Sequence, residues 1–258
     1  MIIMHIVAIH KVPADAGDST GLLAEAVGIS AYEAGARLRV AGRFPVIIAS
    51  FAELGEAEKT AAKINSAGFR AIVLKEDELE SEAGRITVRK FSFEERGLVI
   101  ESGHAKRLAV DYTSVNLILR GMSMKQTRET RTEKERKFSM GNALLSGGLV
   151  MTSSSEKEYI DVSENREGFI HIYDKENNIV VFRENSLNYS SLGERLKPSR
   201  SANFAFIISE LKRLCAGALY DETLLNKGGQ TQILGPLFNP EEHLDIAISL
   251  IAKSIRQE

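Results

Sequence analysis

Cysteine is nearly absent from this chain. Cys215 is the single one in 258 residues, so neither an intramolecular disulfide nor a cysteine-based metal cluster can form. Long apolar runs are missing too: no stretch approaches the ~20 residues a membrane-spanning helix needs. The apolar start MIIMHIVAIHKV contains His5 and His10 and lacks a basic leader and a small-residue cleavage site. No signal peptide is therefore expected, and the expected location is the cytoplasm. Charge of one sign is lacking overall. The formal net charge is −2, so any attraction to nucleic acid has to be local. Phosphate-binding signatures are absent: Gly147-Gly148 precedes no Gly-Lys-Ser/Thr, and no dinucleotide fingerprint occurs. No cofactor is expected. Nor is a metal: His5 and His10 have opposite parity on a strand, and His104, His171 and His243 lie in separate segments without ligand spacing.

What is present is ordinary globular material, 43% hydrophobic and 26% charged, with a length that suits one or two domains. Residues 4–9 form a β-branched strand pattern, followed by the loop-like VPADAGDST. Asp18, Ser19 or Thr20 can cap a helix that runs through Val27. Ser30 and Glu33 fit a capping box for a second helix carrying Ala31, Ala34 and Leu38, with Gly42 as its stop. Pro45 opens the strand VIIAS. A helix from about Leu54 to Ser66, with Ala57, Ala61 and Ile64 inward, ends at Gly68 before the strand FRAIVLK. The order is β-α-α-β-α-β.

Gly28-Ile29-Ser30-Ala31-Tyr32-Glu33-Ala34 resembles the Gly-Leu-Gly-Leu-Lys-Glu-Ala signature of the C-terminal domain of the bacterial ribosomal stalk protein. The similarity continues through Pro45, the Ala57–Ile64 helix and Gly68, and covers about the first 75 residues. It implies the fold of that family, whose domain docks translation GTPases through lysines on and near its first helix. Here Thr20 to Val27 carries neither Lys nor Arg and includes Glu25.

The acidic KEDELESEAG (75–84) reads as a linker or a frayed strand end. Short strands follow at 86–91, 97–102, 107–112 and 115–119, and after the next charged segment at 147–151, 158–162, 168–174 and 178–183. Their spacing suggests antiparallel hairpins, with a clear turn at Asp174–Asn178. A helix then carries Phe204, Ile207, Ile208, Leu211 and Leu214 on one face, with Asn203 as its expected cap. A strand-rich unit closed by such a helix, opened by FEERGLVIES and LAVDYTSV, is similar to bacterial pleckstrin-homology-like barrels. That similarity implies lipid or peptide binding. The tail helix has Asn239 as cap, Pro240 at its first position, and Leu244, Ile248, Ile251 and Ile255 as its buried stripe.

The expected organisation is α+β. A stalk-protein-like domain spans 1–80, and a β-rich, barrel-like domain with C-terminal helices spans 85–258 and holds a charged insertion at 125–137. That insertion, KQTRETRTEKERK, contains no apolar residue. Lys125, Arg128, Arg131, Lys134, Arg136 and Lys137 are offset by Glu129, Glu133 and Glu135, which leaves a net charge of +3. It is a solvated loop or protruding hairpin, an anion or partner contact, or a membrane-surface contact worth ~1 kcal/mol per net basic residue before entropy costs. Nucleic acid is not expected, because no aromatic residue interleaves the charges. Cys215 reads as a packed small hydrophobe, and Gly228-Gly229-Gln230 as a turn before the last helix rather than a peptidyl-tRNA hydrolysis motif, since only Lys227 is basic nearby. Two binding-type folds without a catalytic constellation point to a non-catalytic binding or scaffolding protein, with a protein partner or self-association. Anionic lipid on the basic stretch is one alternative. An enzyme with an interdomain site, such as one joining the Asp15–Asp18 loop to barrel side chains, is the other.

Overall fold

A computed structural model describes residues 4–13, 19–39, 41, 44–103, 107–138 and 152–256. For 126–138 and 152–163 it gives the course of the backbone alone. The N-terminal elements are β1 (His5–Lys11), α1 (Ser19–Val27), α2 (Ala31–Leu38), β2 (Val46–Phe51), α3 (Leu54–Ser66) and β3 (Arg70–Leu74), in the expected order. The three strands form an antiparallel sheet in the order β2-β1-β3. Both faces of this sheet are covered. Val7, Ile9, Val46 and Ile48 pack with Leu23, Ala34, Ala57, Ala61 and Ile64 of the three helices. Ile6, Ala8, Ile47, Ile72 and Leu74 point the other way, into a second apolar cluster, as strand alternation requires. The capping box of α2 is half formed. Ser30 Oγ accepts from Glu33 N at 3.2 Å, but the Glu33 carboxylate turns to Arg37 at 2.7 Å, a charged donor, instead of back to the chain.

The larger sheet has seven strands: β4 (Arg85–Phe93), β5 (Gly97–Ser102), β6 (Arg107–Asp111), β7 (Val115–Phe138), β8 (Thr152–Asp174), β9 (Ile179–Arg183) and β10 (Leu219–Leu224). Their order is β10-β7-β8-β9-β4-β5-β6. The sheet is mixed where hairpins alone were expected. β4 pairs parallel with β9, and β10 parallel with β7, because β4 and β10 enter by long connections rather than tight turns. The expected turn between β8 and β9 is present. Asn177 sits at φ 65°, and Asp174 Oδ1 accepts from Glu176 N and Asn178 N.

Three helices close the chain: α4 (Arg200–Leu214), α5 (Lys227–Leu234) and α6 (Pro240–Arg256). Ser199, not Asn203, caps α4, its Oγ accepting from Ala202 N at 3.1 Å. Asn203 lies buried one turn inside. Its Nδ2 donates to Lys197 O and Ser199 O, and its Oδ1 accepts from Lys197 N. It therefore clasps the chain entering the helix. Alternation along the large sheet again divides two cores. Ile118, Ile170, Ile172 and Phe182 pack against Phe204, Ile207 and Leu211 of α4. Leu117, Leu119, Phe169 and Tyr173 face α5 and α6 together with the inner residues of the small sheet.

Contacts divide the chain into a unit of residues 1–123 and 167–258 and a unit of 124–166. Residues on both sides of the expected boundary at 80–85, such as Ile47, Leu74, Leu117 and Ile251, share one apolar cluster of the first unit. In the second unit the described backbone is strand. Lys125–Lys137 is extended from end to end within β7, so the loop alternative gives way to strand. The segment ALLSGGLVM (143–151) lies outside the described residues.

The acidic segment 75–84 is fixed to the C-terminal helix. Two 3-10 turns, Glu76–Glu78 and Glu82–Gly84, shape it. Lys253 of α6 donates to Val73 O at 2.8 Å and pairs with Glu78. Burying Ile248, Leu250 and Ile251 stabilises α6 by roughly 1.5–3 kcal/mol each, more than an exposed ion pair supplies. The apolar stripe holds the helix, and the charges set its register.

Candidate functional site

Among the described residues, a buried polar cluster and a largely apolar groove of the first unit are the candidates. The first is a buried cluster around Glu80. Its carboxylate accepts at Oε1 from the Tyr173 hydroxyl at 2.5 Å. Its Oε2 lies 3.3 Å from His171 Nδ1 and 3.3 Å from Arg85 Nη2. Arg85 Nη1 reaches Asp245 Oδ1 of α6 at 2.6 Å, and Glu82 bridges Arg85 to Arg183. Glu80 N donates to Ser249 Oγ at 2.9 Å, and the Arg256 guanidinium stands 4.7 Å over the Tyr173 ring.

Burial drives the Glu80 carboxyl upward. The hydrogen bonds from His171 and Tyr173 and the charge of Arg85 outweigh it and leave it below the ordinary value. Burial holds His171 below 6.5 against the pull of Glu80, so at neutral pH the ring is uncharged and serves the acceptor-only carboxylate through Nδ1–H. Tyr173 is raised well above 10, first by burial and then by Glu80, and stays a hydroxyl donor. His171 and Tyr173 are 2% and 0% exposed. Each polar group is committed to another across the acidic segment, β4, β8 and α6. The arrangement is suited to locking those elements together, because Glu80, Arg85, His171 and Tyr173 are buried and hydrogen-bonded to one another, with Glu82 and Asp245 pairing Arg85 from the surface.

The second place is a groove of about 590 Å³. One wall is the face of α2 that carries Glu33, Ala36 and Arg37 at helical spacing. Its floor is Val46 at the start of β2, and its other wall is α5 with Lys227, Gly228, Thr231 and Gln232, ending at Gly235-Pro236. The sequence positions α5 tightly. Asn226 Oδ1 caps it through Gly229 N at 2.8 Å, and buried Gln230 donates to Met122 O and Leu224 O. Gly235, at φ 62°, brings the helix end so near β2 that an added Cβ would meet Ile47 O at 3.5 Å. The charges at the rim are paired within the protein: Arg37 with Glu33 at 2.7 Å, and Lys227 with Glu241 at 2.9 Å. Arg37 is 8% exposed and donates from Nη1 to Ile48 O, and its buried Nε has no hydrogen-bond partner among the described residues.

The residues singled out from the sequence are scattered. Lys125 is exposed on β7. Arg128, Arg131, Lys134, Arg136 and Lys137 follow it along the strand backbone, their side chains outside the described residues. His104 and the Asp15–Asp18 loop are outside them also. His5 Nδ1 is buried without a hydrogen bond among the described residues, and His243 Nδ1 lies 3.2 Å from Asn239 O in the first turn of α6. Cys215 is buried against α4. Gly228-Gly229-Gln230 forms the first turn of α5, not a free turn, and its glutamine is packed away. Among the described residues no three His, Cys, Asp or Glu converge as a metal site, and no helix is long and apolar enough to cross a membrane.

Sequence reading missed Glu80, Arg85, Tyr173 and Asp245, and it missed Arg37. One signal was available. His171 and Tyr173 stand two apart in the apolar run GFIHIYD, so two hydrogen-bonding side chains share one face of a buried strand and require partners. The sequence marks Arg37 only as a charge partner four residues after Glu33; its bond to Ile48 O comes from a separate element. Compared with family models, curated proteins and solved structures, the chain matches none of them.

Proposed function

We propose that the chain is a non-catalytic binding protein and that its ligand site is the groove between α2, β2 and α5. The observation carrying this reading is the groove itself. Its about 590 Å³ falls within the range of small-molecule sites, its walls are largely carbon, and a few polar groups converge on it. The concentrated titratable cluster supports the same reading from the other side. Glu80, His171 and Tyr173 spend their hydrogen bonds on one another, away from solvent. The groove is built from packed helices and a strand, so it needs little ordering on binding, which favours affinity.

A thermal-shift screen of a small-molecule library tests this, run on the intact chain and on Thr231→Trp. Thr231 is an exposed groove residue whose replacement by indole fills the space with little strain on the fold. The expected result is a set of compounds that raise Tm for the parent chain and not for the variant. Compounds that stabilise both equally would contradict the groove as the site.

A further inference from the structure

We infer that the outer edge of β6 is a self-association surface, and that a second copy of this chain pairs its own β6 antiparallel to it about a two-fold axis at Ala109. The surface is separate from the groove, and the pairing does not depend on a ligand there. In the strand order β6 lies at one end of the large sheet, and among the described residues β5 is the strand it pairs with. Its phase on β5 is set by Tyr112 N, which donates to Arg96 O at 3.2 Å. Hydrogen-bonded pairs alternate along an antiparallel ladder, so Leu108 and Val110 turn their backbone groups toward β5. Arg107, Ala109 and Asp111 turn their N–H and C=O groups outward, and all three residues are exposed.

An open edge accepts an extended strand through its backbone; the side chains select which strand. With Ala109 opposite Ala109 of the second copy, Arg107 falls opposite Asp111, and Leu108 opposite Val110. On the exposed face this continues an alternation of sign already present across the sheet. Lys90 pairs with Glu101 at 3.4 Å, and Glu101 stands opposite Arg107 in the ladder, so Asp111 of the second copy is the next member of the row. The Asp111 carboxylate is already ordered, its Oδ1 accepting from Thr113 N and Oγ1, each at 2.7 Å. Asp111 O accepts from Ser114 Oγ and keeps a second lone pair for the new ladder. On the other face Leu108 is only partly buried, at the margin of the core that holds Val110, and Val110 of the second copy would cover it. Both faces of β6 complement themselves, as a two-fold interface requires. Five residues make a small contact, so the association is weak.

Sedimentation equilibrium of the intact chain, from about 10 µM to about 1 mM, tests this. The expected result is a reversible monomer–dimer equilibrium. Ala109→Pro removes the outward N–H at the axis without touching the β5 ladder, and should weaken the dimer by about tenfold or more. Arg107→Asp sets like charges opposite one another and should separate the copies. Mixing it with Asp111→Arg restores opposite charges in both pairs and should restore the dimer. Ala109→Cys should give a disulfide-linked dimer under mild oxidation, since hydrogen-bonded antiparallel partners have Cα atoms about 5.5 Å apart. Arg107→Cys should not, because its copy lies about 14 Å along the paired strands. The native Cys215 is buried and does not compete. A chain that stays monomeric to about 1 mM overturns the inference and leaves the edge to a strand of a different protein. Association unchanged by Ala109→Pro and Arg107→Asp, equal cross-linking of the two cysteine variants, or growth beyond a dimer overturns it as well.

Discussion

The Tyr173 hydroxyl donates to Glu80 Oε1 at 2.5 Å across 93 positions of sequence. It joins the middle of the large sheet to the acidic segment that follows β3, and Arg85 extends the link to Asp245 on α6. The cluster thereby ties early, middle and late parts of the chain in one unit.

Removing the charge of Glu80 should cost stability heavily. Glu80→Gln keeps the shape but weakens the buried hydrogen bonds to the carboxylate, while Arg85 keeps Asp245 and Glu82, at a cost of about 1.5–3 kcal/mol. Tyr173→Phe removes one donor and costs about 1–2 kcal/mol. Urea denaturation of both single variants and the double variant should show a combined loss smaller than the sum, since the two side chains share one bond. Strict additivity would separate them.

Acid should weaken the fold in two stages. His171 is held below 6.5 by burial, and Arg85 and Arg183 act in the same direction while Glu80 opposes. Below 6.5 the unfolded chain therefore takes a proton the native ring resists, and stability falls as pH drops, by up to about 1.4 kcal/mol per pH unit. Glu80 is net lowered despite burial, so its contribution is present above its unfolded value near 4.5 and is lost as pH falls through its lower folded value. Denaturation midpoints between pH 7 and 5 should decline in the parent chain and flatten in His171→Gln. An unchanged slope in that variant would assign the loss to other groups.

Two glycines on helices should respond oppositely to alanine. At Gly229 a Cβ would lie 2.3 Å from Thr223 O, backbone that cannot yield cheaply, so Gly229→Ala should destabilise by about 1–3 kcal/mol. At Gly55, in the first turn of α3, no atom lies within 4 Å, and Gly55→Ala should stabilise by about 0.5 kcal/mol through helix propensity. Thermal melts of the two variants decide the pair.

Local periodicity made much of the fold legible. Ala57, Ala61 and Ile64 placed α3 with its observed bounds, and the Asp174–Asn178 turn was readable because Asn tolerates the φ of 65° found at Asn177. Longer-range packing was not readable. Asn203 has the composition of a cap but is used one turn inside α4, because Ser199 is better placed and the amide can hold Lys197. β10, LYDETL, has a weak strand pattern and exists by parallel pairing with β7, about a hundred residues earlier. Lys125–Lys137 lacks any apolar residue, so no burial pattern marked it as strand. Glu80 sat in a run of acids that reads as solvated, and its partners His171 and Tyr173 approach only after folding. The groove is likewise a meeting of α2, β2 and α5, and no one segment announces it.

Cys215 should be chemically silent in the native state. It is 3% exposed, and burial pushes its thiol up to about 11, so thiolate is scarce at neutral pH. Its reaction with a disulfide reagent should run at the rate of unfolding and be independent of reagent concentration when reagent is in excess. Fast labelling that rises with reagent would show an open path to the sulfur.

The central claim, that the groove is the ligand site, is tested most directly by a crystal structure of the intact chain with a compound that stabilises it in the thermal-shift screen. The compound should sit between Ala36, Val46 and Thr231. A compound seated anywhere else would contradict the claim.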